Sequence, residues 1–378
     1  MPWKECGVKD QRISFVARLL GGRENMSDLC REYEISRPTG YLWVKRFHEA
    51  GSFQALAEKS RRPRQSPNRT SEELEQKVVQ AREEYGWGAP KLKVILDAAG
   101  VDLSKNTIHR ILKRKGLVEK KVGQEVATGR FERSKPNELW QMDFKGEYLG
   151  EQGACYPLSI LDDCSRFSLG IFALSATSYK QVSATLQHVF RAYGVPEAML
   201  MDHGVPWWGA ATVSGLTRLS VDLMEQGIRL CFSGYCHPQT QGKVERFHST
   251  LGKAVRHRGG PRKKLASWQK LFDEIRDEYN HVRPHEALGM GVPARRYQAS
   301  EREYNPRPAP WTYPDRMQLM KVRSNGSISW VRRPHFVSMS LVGRVVGTEV
   351  VNNKLLICYR DTYIREIDLQ SAEGTTLI

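Results

Sequence analysis

The sequence lacks any apolar run long enough to cross a bilayer, and its first residues lack the apolar stretch of a secretory signal. A membrane-embedded or exported protein is therefore not expected. Cysteine is sparse and unpatterned. The seven are Cys6, Cys30, Cys155, Cys164, Cys231, Cys236 and Cys358, an odd count with no disulfide framework, which fits a reducing, cytoplasmic setting. Two groups have metal-like spacing, Cys231-x4-Cys236-His237 and His281-x3-His285, but neither has the complementary second pair of a structural zinc site. No G-x-x-x-x-G-K-[ST] phosphate loop is present, so nucleotide hydrolysis is not expected of this chain. Acidic residues are in deficit: 42 Asp and Glu face 58 Lys and Arg, a formal net charge of +16. That balance points to a polyanionic partner, nucleic acid before membrane.

What is present is unevenly placed. Residues 1–135 hold 28 Lys/Arg against 18 Asp/Glu, whereas residues 136–300 hold 19 against 16 and residues 301–378 hold 11 against 8. A chain of 378 residues suggests two to four domains. Residues 1–57 carry helical apolar spacing, with Leu29 and Cys30 on one helix, Ile35 in a short turn, and Ser36 capping a second helix whose inner face holds Trp43 and Phe47. This spacing is that of a helix-turn-helix. Residues 58–70 form a linker, broken by Pro63 and Pro67 and rich in arginine. Residues 71–118 form a second helical module: one helix to about Tyr85, one over 91–98, and a third capped by Ser104 with Ile108, Ile111 and Leu112 turned inward. Residues 119–136 are a polar linker. Residues 137–300 alternate strands and helices, which predicts an α/β domain with a mixed sheet. Residues 301–316 are a proline-rich linker. Residues 317–378 alternate apolar and polar, with turns at Asn325-Gly326 and Asn352-Asn353, and predict a small β-barrel of about five strands.

Three carboxylates stand out by context. Asp143 lies mid-strand in Leu139-Trp-Gln-Met-Asp-Phe144, with Met142 and Phe144 on the opposite face. Asp202 ends a short apolar strand before His203-Gly204. Glu245 lies on a helix, with Gln241 and His248 on the same face. A carboxylate inside an apolar strand is costly unless paired or bound to a cation. Two strand-borne Asp residues and one helical Glu can converge on hard cations, which take oxygen ligands.

The ordered motifs give a resemblance. They are Trp140-x-x-Asp143; Tyr156-Pro-Leu-Ser-Ile-Leu-Asp-Asp-Cys-Ser-Arg-Phe167; Asp202-His-Gly204; His237-Pro-Gln-Thr-Gln-Gly-Lys-Val-Glu-Arg-Phe247; and Tyr279-Asn280 with Arg283-Pro284-His285-x-Ala-Leu288. Residues 137–300 resemble the catalytic core of bacterial insertion-sequence transposases of the retroviral-integrase type. The resemblance implies a ribonuclease-H-like core, Asp143, Asp202 and Glu245 as a catalytic and metal-binding triad, and two Mg²⁺ or Mn²⁺ ions acting as a pair. It implies metal-dependent strand cleavage and 3′-OH transfer on double-stranded DNA, both terminal inverted repeats and target. It further implies a homo-oligomer on that DNA and a nucleoid-associated location. Two positions depart from the pattern: His203 stands where Asn is usual, and Gly252 where many carry Lys or Arg. The rival readings are a catalytically silent DNA-binding regulator and a ribonuclease-H-type nuclease.

Candidate DNA contacts follow from the same layout. Arg37, Thr39, Tyr41 and Lys45 face outward on the first recognition helix, with Arg37 best placed to read a guanine. Arg61, Arg62 and Arg64 suit phosphate or an A·T minor groove. Arg110, Lys113 and Arg114 flank the third helix of the second module. Trp207 and Trp208 suit stacking on a frayed base. Gln241, Lys243, Arg246 and His248 surround the triad's Glu.

Overall fold

The computed structural model describes residues 7–58, 69–118, 132–150, 153–209, 215–232, 242–371 and 374–377. The expectations placed on Arg61, Arg62, Arg64, Gln241, Cys236 and His237 lie outside them. The chain divides into two compact units, Met1–Ser71 and Glu72–Ile378.

The first unit is three helices, α1 (Val8–Leu20), α2 (Met26–Glu32) and α3 (Arg37–Ala50), closed by a 3₁₀ turn at Phe53–Leu56. Asn25 caps α2 by accepting from the Asp28 N–H at 3.0 Å, and Ser36 caps α3 by accepting from the Thr39 N–H at 3.4 Å. Phe15, Val16, Leu29, Cys30 and Leu56 form its core, with Ile35, Trp43 and Phe47 packed against them. Gly40 lets α3 approach closely: a Cβ there would lie 2.8 Å from the sulfurs of Cys30 and Met26.

The second unit begins with α4 (Glu72–Tyr85), α5 (Ala89–Ala98) and α6 (Lys105–Arg114), the last capped by Ser104. Ile108, Ile111 and Leu112 are buried against Val78, Leu92 and Leu96, as their spacing predicts. The helices rest on the domain that follows. Lys91 pairs with Glu286 at 3.1 Å, the Arg283 guanidinium lies 5.7 Å from the Trp87 ring centre, and His257 bonds the Glu84 carbonyl at 3.1 Å.

The α/β domain contains β1 (Trp140–Phe144), β2 (Tyr148–Gly150), β3 (Gly153–Asp162), β4 (Ser168–Leu174), α7 (Tyr179–Tyr193), β5 (Ala198–Met201), α8 (Arg218–Glu225), β6 (Arg229–Phe232), α9 (Gly242–His257) and α10 (Leu265–Asp277). β1 sits centrally, antiparallel to β3 and parallel to β5, which is parallel to β6; β3 also pairs with β2 and β4. This is the mixed sheet that the alternation of strands and helices predicts. Strand alternation divides its side chains between two layers. Trp140, Met142, Leu158 and Ile160 pack on Val182, Leu186 and Phe190 of α7 and Leu219 and Leu223 of α8. Cys155, Leu161 and Ile171 pack on Phe247, Leu251 and Val255 of α9 and on Trp268 and Phe272 of α10.

The C-terminal strands are β7 (Gln318–Lys321), β8 (Ser327–Trp330), β9 (Arg333–Phe336), β10 (Val345–Val351), β11 (Lys354–Tyr359), β12 (Thr362–Asp368) and β13 (Gly374–Thr376). Asn352 and Asn353 take positive φ in the two-residue turn between β10 and β11, the left-handed geometry such hairpins require. The expected barrel does not close. The sheet order is β13-β12-β11-β10-β7, with free edges at β7 and β13 among the described residues, and β8 and β9 form a separate hairpin. The sheet's apolar face is covered in another way: Ile328 and Val337 of the hairpin region and Leu216, Val221 and Met224 of the α/β domain join Val346, Leu355, Ile357 and Ile364 in one cluster. A sheet whose inner face is already buried gains little from closure.

Candidate active site

β1 and β5 run parallel, so Asp143 near the end of one and Asp202 just past the other emerge at the same edge of the sheet. Each carboxylate is positioned by its own surroundings. The Trp207 indole N–H donates to Asp202 Oδ1 at 2.7 Å and the Gly204 N–H donates to the same oxygen at 3.0 Å. Any Cβ at 204 would lie 2.8 Å from that carboxylate, so the Asp-His-Gly motif needs its glycine for close approach. The Trp207 ring in turn stacks on Phe144 at 5.4 Å and 13°, tying the Asp202 turn to the strand that bears Asp143.

Glu245 is exposed in the first turn of α9. That turn is anchored to β1 by a buried polar network. Gln141, two residues before Asp143 and on the same face, accepts from the Val244 N–H at 3.2 Å and donates to Asp163 Oδ1 at 2.7 Å. Lys243 reaches the same Asp163 oxygen at 2.6 Å, and the Arg133 N–H donates to its other oxygen at 2.8 Å. The Asp163 side chain is fully buried, and these partners make its charge tolerable there. The neighbouring Asp162 accepts from the N–H groups of Asn137 and Ser165, organising the turn before β4.

The electrostatics show the carboxylates acting on one another. Burial, and then the charge of Asp202 and more weakly that of Glu245, push the Asp143 carboxyl up to about 7. His248, one turn after Glu245, has Nδ1 3.6 Å from Asp143 Oδ2. Burial and nearby Lys145 hold His248 down to about 4, so it is neutral and this contact is not an ion pair. Its Nε2 is buried without a partner among the described residues. No three His, Cys, Asp or Glu side chains among those residues enclose a single ion position in this arrangement. The chemistry of the donor set nonetheless suits hard cations: all three groups offer oxygen, and a cation would offset both the burial and the mutual repulsion that raise the Asp143 carboxyl.

Comparison with protein-family models agrees with this architecture. Two integrase core domain models match, at residues 133–224 and 226–293, and together they hold Asp143, Asp202 and Glu245. A helix-turn-helix domain model matches residues 11–64 and a homeodomain-like domain model residues 39–112. Residues 133–293 thus match integrase core domain models almost without a break, and the chain is similar to mobile-element proteins. It is 24% identical over 242 residues to an uncharacterized 31.7 kDa protein of insertion element IS407 from Burkholderia multivorans, covering 60% of this chain and 82% of that one. It is 29% identical over 135 residues to the transposase for transposon Tn552 from Staphylococcus aureus, covering 32% of this chain but only 27% of that protein. Among solved structures, the HTLV-2 integrase catalytic core in complex with magnesium covers 44% of the chain at TM-score 0.35 and 12% identity. A simian T-cell lymphotropic virus intasome chain covers 80% at TM-score 0.38 and 11% identity.

Several residues stand differently from their sequence reading. Trp207 is 1% exposed, so it is not open to a base and serves instead to hold Asp202. Trp208 is half-buried against His203 and Phe232 and across from Gly215, which leaves little free ring for stacking. Lys243 is turned inward onto Asp163 rather than outward to phosphate. Arg114 is bound to the buried Glu75 at 2.5 Å. Arg37, Tyr41, Lys45, Arg110, Lys113 and Arg246 are exposed, whereas the Thr39 hydroxyl meets the Ser36 cap at 2.8 Å. His285 is directed onto the Tyr279 carbonyl at 3.2 Å. The sequence reading missed Gln141, Asp163 and the holding role of Trp207. The strand alternation that placed Asp143 also put Gln141 on its face, and was the available signal.

Proposed function

We propose that the chain is a DNA transposase that binds the terminal inverted repeats of its element, hydrolyses a phosphodiester there to free a 3′-OH, and joins that 3′-OH to target DNA. The observation that carries this reading is the pairing of Asp143 and Asp202 at one sheet edge, with the Asp143 carboxyl raised by burial and by its neighbours' charge. Asp143, Asp202 and Glu245 would hold Mg²⁺ or Mn²⁺, and such ions lower the pKa of an attacking hydroxyl and stabilise a leaving oxygen. In the first step water oxygen forms a bond to phosphorus as the P–O3′ bond breaks. In the second the freed 3′ oxygen forms the new bond and a target 3′ oxygen leaves. Bonds balance in each, with no covalent enzyme intermediate and no ATP. Trp207 and Gly204 orient Asp202, the Gln141 network sets the start of α9, and neutral His248 offers a ring N–H beside Asp143 without adding charge. Two element ends must be held together, so the working form is an oligomer on DNA. Arg37, Tyr41 and Lys45 on α3, and Arg110 and Lys113 on α6, supply the end contacts.

The test is cleavage and joining of an oligonucleotide carrying the element end, with and without Mg²⁺, in the wild type and in Asp143→Asn, Asp202→Asn and Glu245→Gln. Each variant is expected to lose joining and keep end binding. Full activity in EDTA sinks the mechanism. End binding without cleavage by the wild type would make the chain a silent regulator, and preference for RNA–DNA hybrids would make it a ribonuclease-H-type nuclease.

A further inference from the structure

α9 contains a glycine where a helix has no evident use for one. Gly252 lies buried in the helix interior, where glycine costs about 1 kcal/mol relative to alanine. What occupies the space above it is Lys145. A Cβ at 252 would lie 3.4 Å from Lys145 Cε, 3.6 Å from its Nζ and 3.7 Å from Arg256 Nη1. Two cations of different elements thus converge over one bare helix position. Lys145 follows Asp143 by two residues and leaves the sheet on the face that carries the candidate site. Its ammonium lies 5.0 Å from the centre of the Tyr148 ring, which is itself stacked on Trp268 at 4.7 Å, so the stem rests on a fixed wall. Neither Lys145 nor Arg256 forms an ion pair with any described residue, and nearby Glu147 accepts from the Tyr156 hydroxyl at 3.1 Å instead. Two unpaired like charges held together, one of them half-buried, repel unless an anion lies between them.

We infer that Lys145 and Arg256 form a phosphate clamp, built over Gly252, that seats one backbone phosphate of the DNA strand being processed beside Asp143. The clamp rests on the proposed function for its substrate, but it can be tested by binding alone. Lys145 is a positioning residue: it holds a phosphate next to the reacting one and takes no part in proton transfer. A small residue at 252 is what lets it lie flat: a Cβ would just touch the stem, and any side chain longer than alanine would displace it. The clamp also accounts for a basic group beside the site although position 252 itself carries none.

The experiment uses the full chain and an element-end duplex read from the DNA flanking the coding sequence, with Ca²⁺ in place of Mg²⁺. Single phosphates of the duplex are replaced one at a time by neutral methylphosphonates. Lys145→Met keeps the apolar stem and removes the charge; Lys145→Arg restores it; Lys180→Ala, on α7, is the control. One methylphosphonate position is expected to weaken wild-type binding at least fivefold and to leave Lys145→Met unaffected, with Lys145→Arg regaining the sensitivity. The salt dependence of binding should flatten by about one unit for Lys145→Met and again for Arg256→Ala. Lys180→Ala should change neither. Identical methylphosphonate profiles for the wild type and Lys145→Met overturn the clamp. If the phosphate signature appears but the wild type cuts no DNA in Mg²⁺, the clamp stands and the proposed reaction falls.

Discussion

At the residue scale, the site is held by contacts from a residue with no chemistry of its own. Trp207 looks like a core aromatic, yet its N–H fixes one oxygen of Asp202 and its ring fixes the distance to β1 through Phe144. Trp207→Phe keeps the stack and removes the hydrogen bond. The joining rate at saturating DNA is expected to fall on the order of ten- to a hundredfold, the cost of letting a reacting group drift. End binding in Ca²⁺ should be unchanged. An unaltered rate would show that Asp202 needs no such holder. His285 gives a prediction about pH. Burial first, then the charge of Arg283, hold its ring down to about 4, against the ordinary 6.5. Lys91 and Arg166 act in the same direction, and the Tyr279 carbonyl partly opposes them. A depressed histidine contributes stability in full above pH 6.5 and loses it as pH falls towards 4, because the unfolded chain binds the proton first. The window is worth about 3 kcal/mol. His285→Gln keeps an N–H for the Tyr279 carbonyl and should flatten the fall in stability between pH 6.5 and 4, seen by denaturant titration at several pH values. Parallel curves for variant and wild type would mean that the His285 ring takes up its proton over the same range in the folded and unfolded chains.

At the scale of elements, most of what was legible came from periodicity and caps. Ser36 and Ser104 sit where a helix start needs a short side-chain acceptor, and both do cap. Ile108, Ile111 and Leu112 bury as their spacing requires. The alternation in Trp140–Phe144 correctly divided the strand into an apolar face and a polar one. The closure of the C-terminal sheet was not legible, because alternation reports which face is buried and not what buries it. The inward turn of Lys243 and of Arg114 was hidden for a related reason: their partners, Asp163 and Glu75, are distant in sequence, and a helix pattern cannot rank a remote carboxylate above solvent. Gly40 was read only as one letter of a helix, yet it sets the approach of α3 to Phe15, Met26 and Cys30. Gly40→Val would put its Cβ 2.8 Å from the sulfurs of Cys30 and Met26, with two methyls beyond it, an overpacking cost of about 1–3 kcal/mol. In the isolated Met1–Ser71 unit this is expected to lower the thermal midpoint and weaken end binding together. A midpoint within error of the wild type would remove close packing as the reason for glycine at this position.

At the scale of the whole molecule, domain boundaries drawn from composition and boundaries drawn from packing disagree. Prolines at 306, 308, 310 and 314 and the change from helical to alternating texture mark off residues 317–378 as a separate body. The apolar contacts ignore that boundary. Leu216, Val221 and Met224, in and just before α8, share one buried cluster with Val322, Leu341, Val346 and Tyr359. Polar contacts ring the cluster: Arg344 pairs with Glu225 at 2.8 Å, the Tyr359 hydroxyl donates to the same carboxylate at 2.9 Å, and the Ser340 hydroxyl donates to the Leu216 carbonyl at 2.9 Å. α8 is thereby clad on both sides, since Leu219 and Leu223 face the central sheet. It is also the helix that runs from the Trp207 turn into β6, and the Ser220 hydroxyl donates to the Trp207 carbonyl. Removing the C-terminal strands would therefore expose the outer face of a helix bonded to the residue that orients Asp202. A chain ending at residue 316 is expected to lose stability by several kcal/mol, each large apolar side chain left uncovered contributing about 1.5–3 kcal/mol. Leu216→Ser with Val221→Ser in that shortened chain should restore solubility without restoring the lost midpoint. The same truncation should lower cleavage even on DNA that the N-terminal helices bind normally. A shortened chain that melts at the full-length midpoint and cuts at the full-length rate would show that the strands are an appendage, and that the sequence boundary at 316 is also the mechanical one.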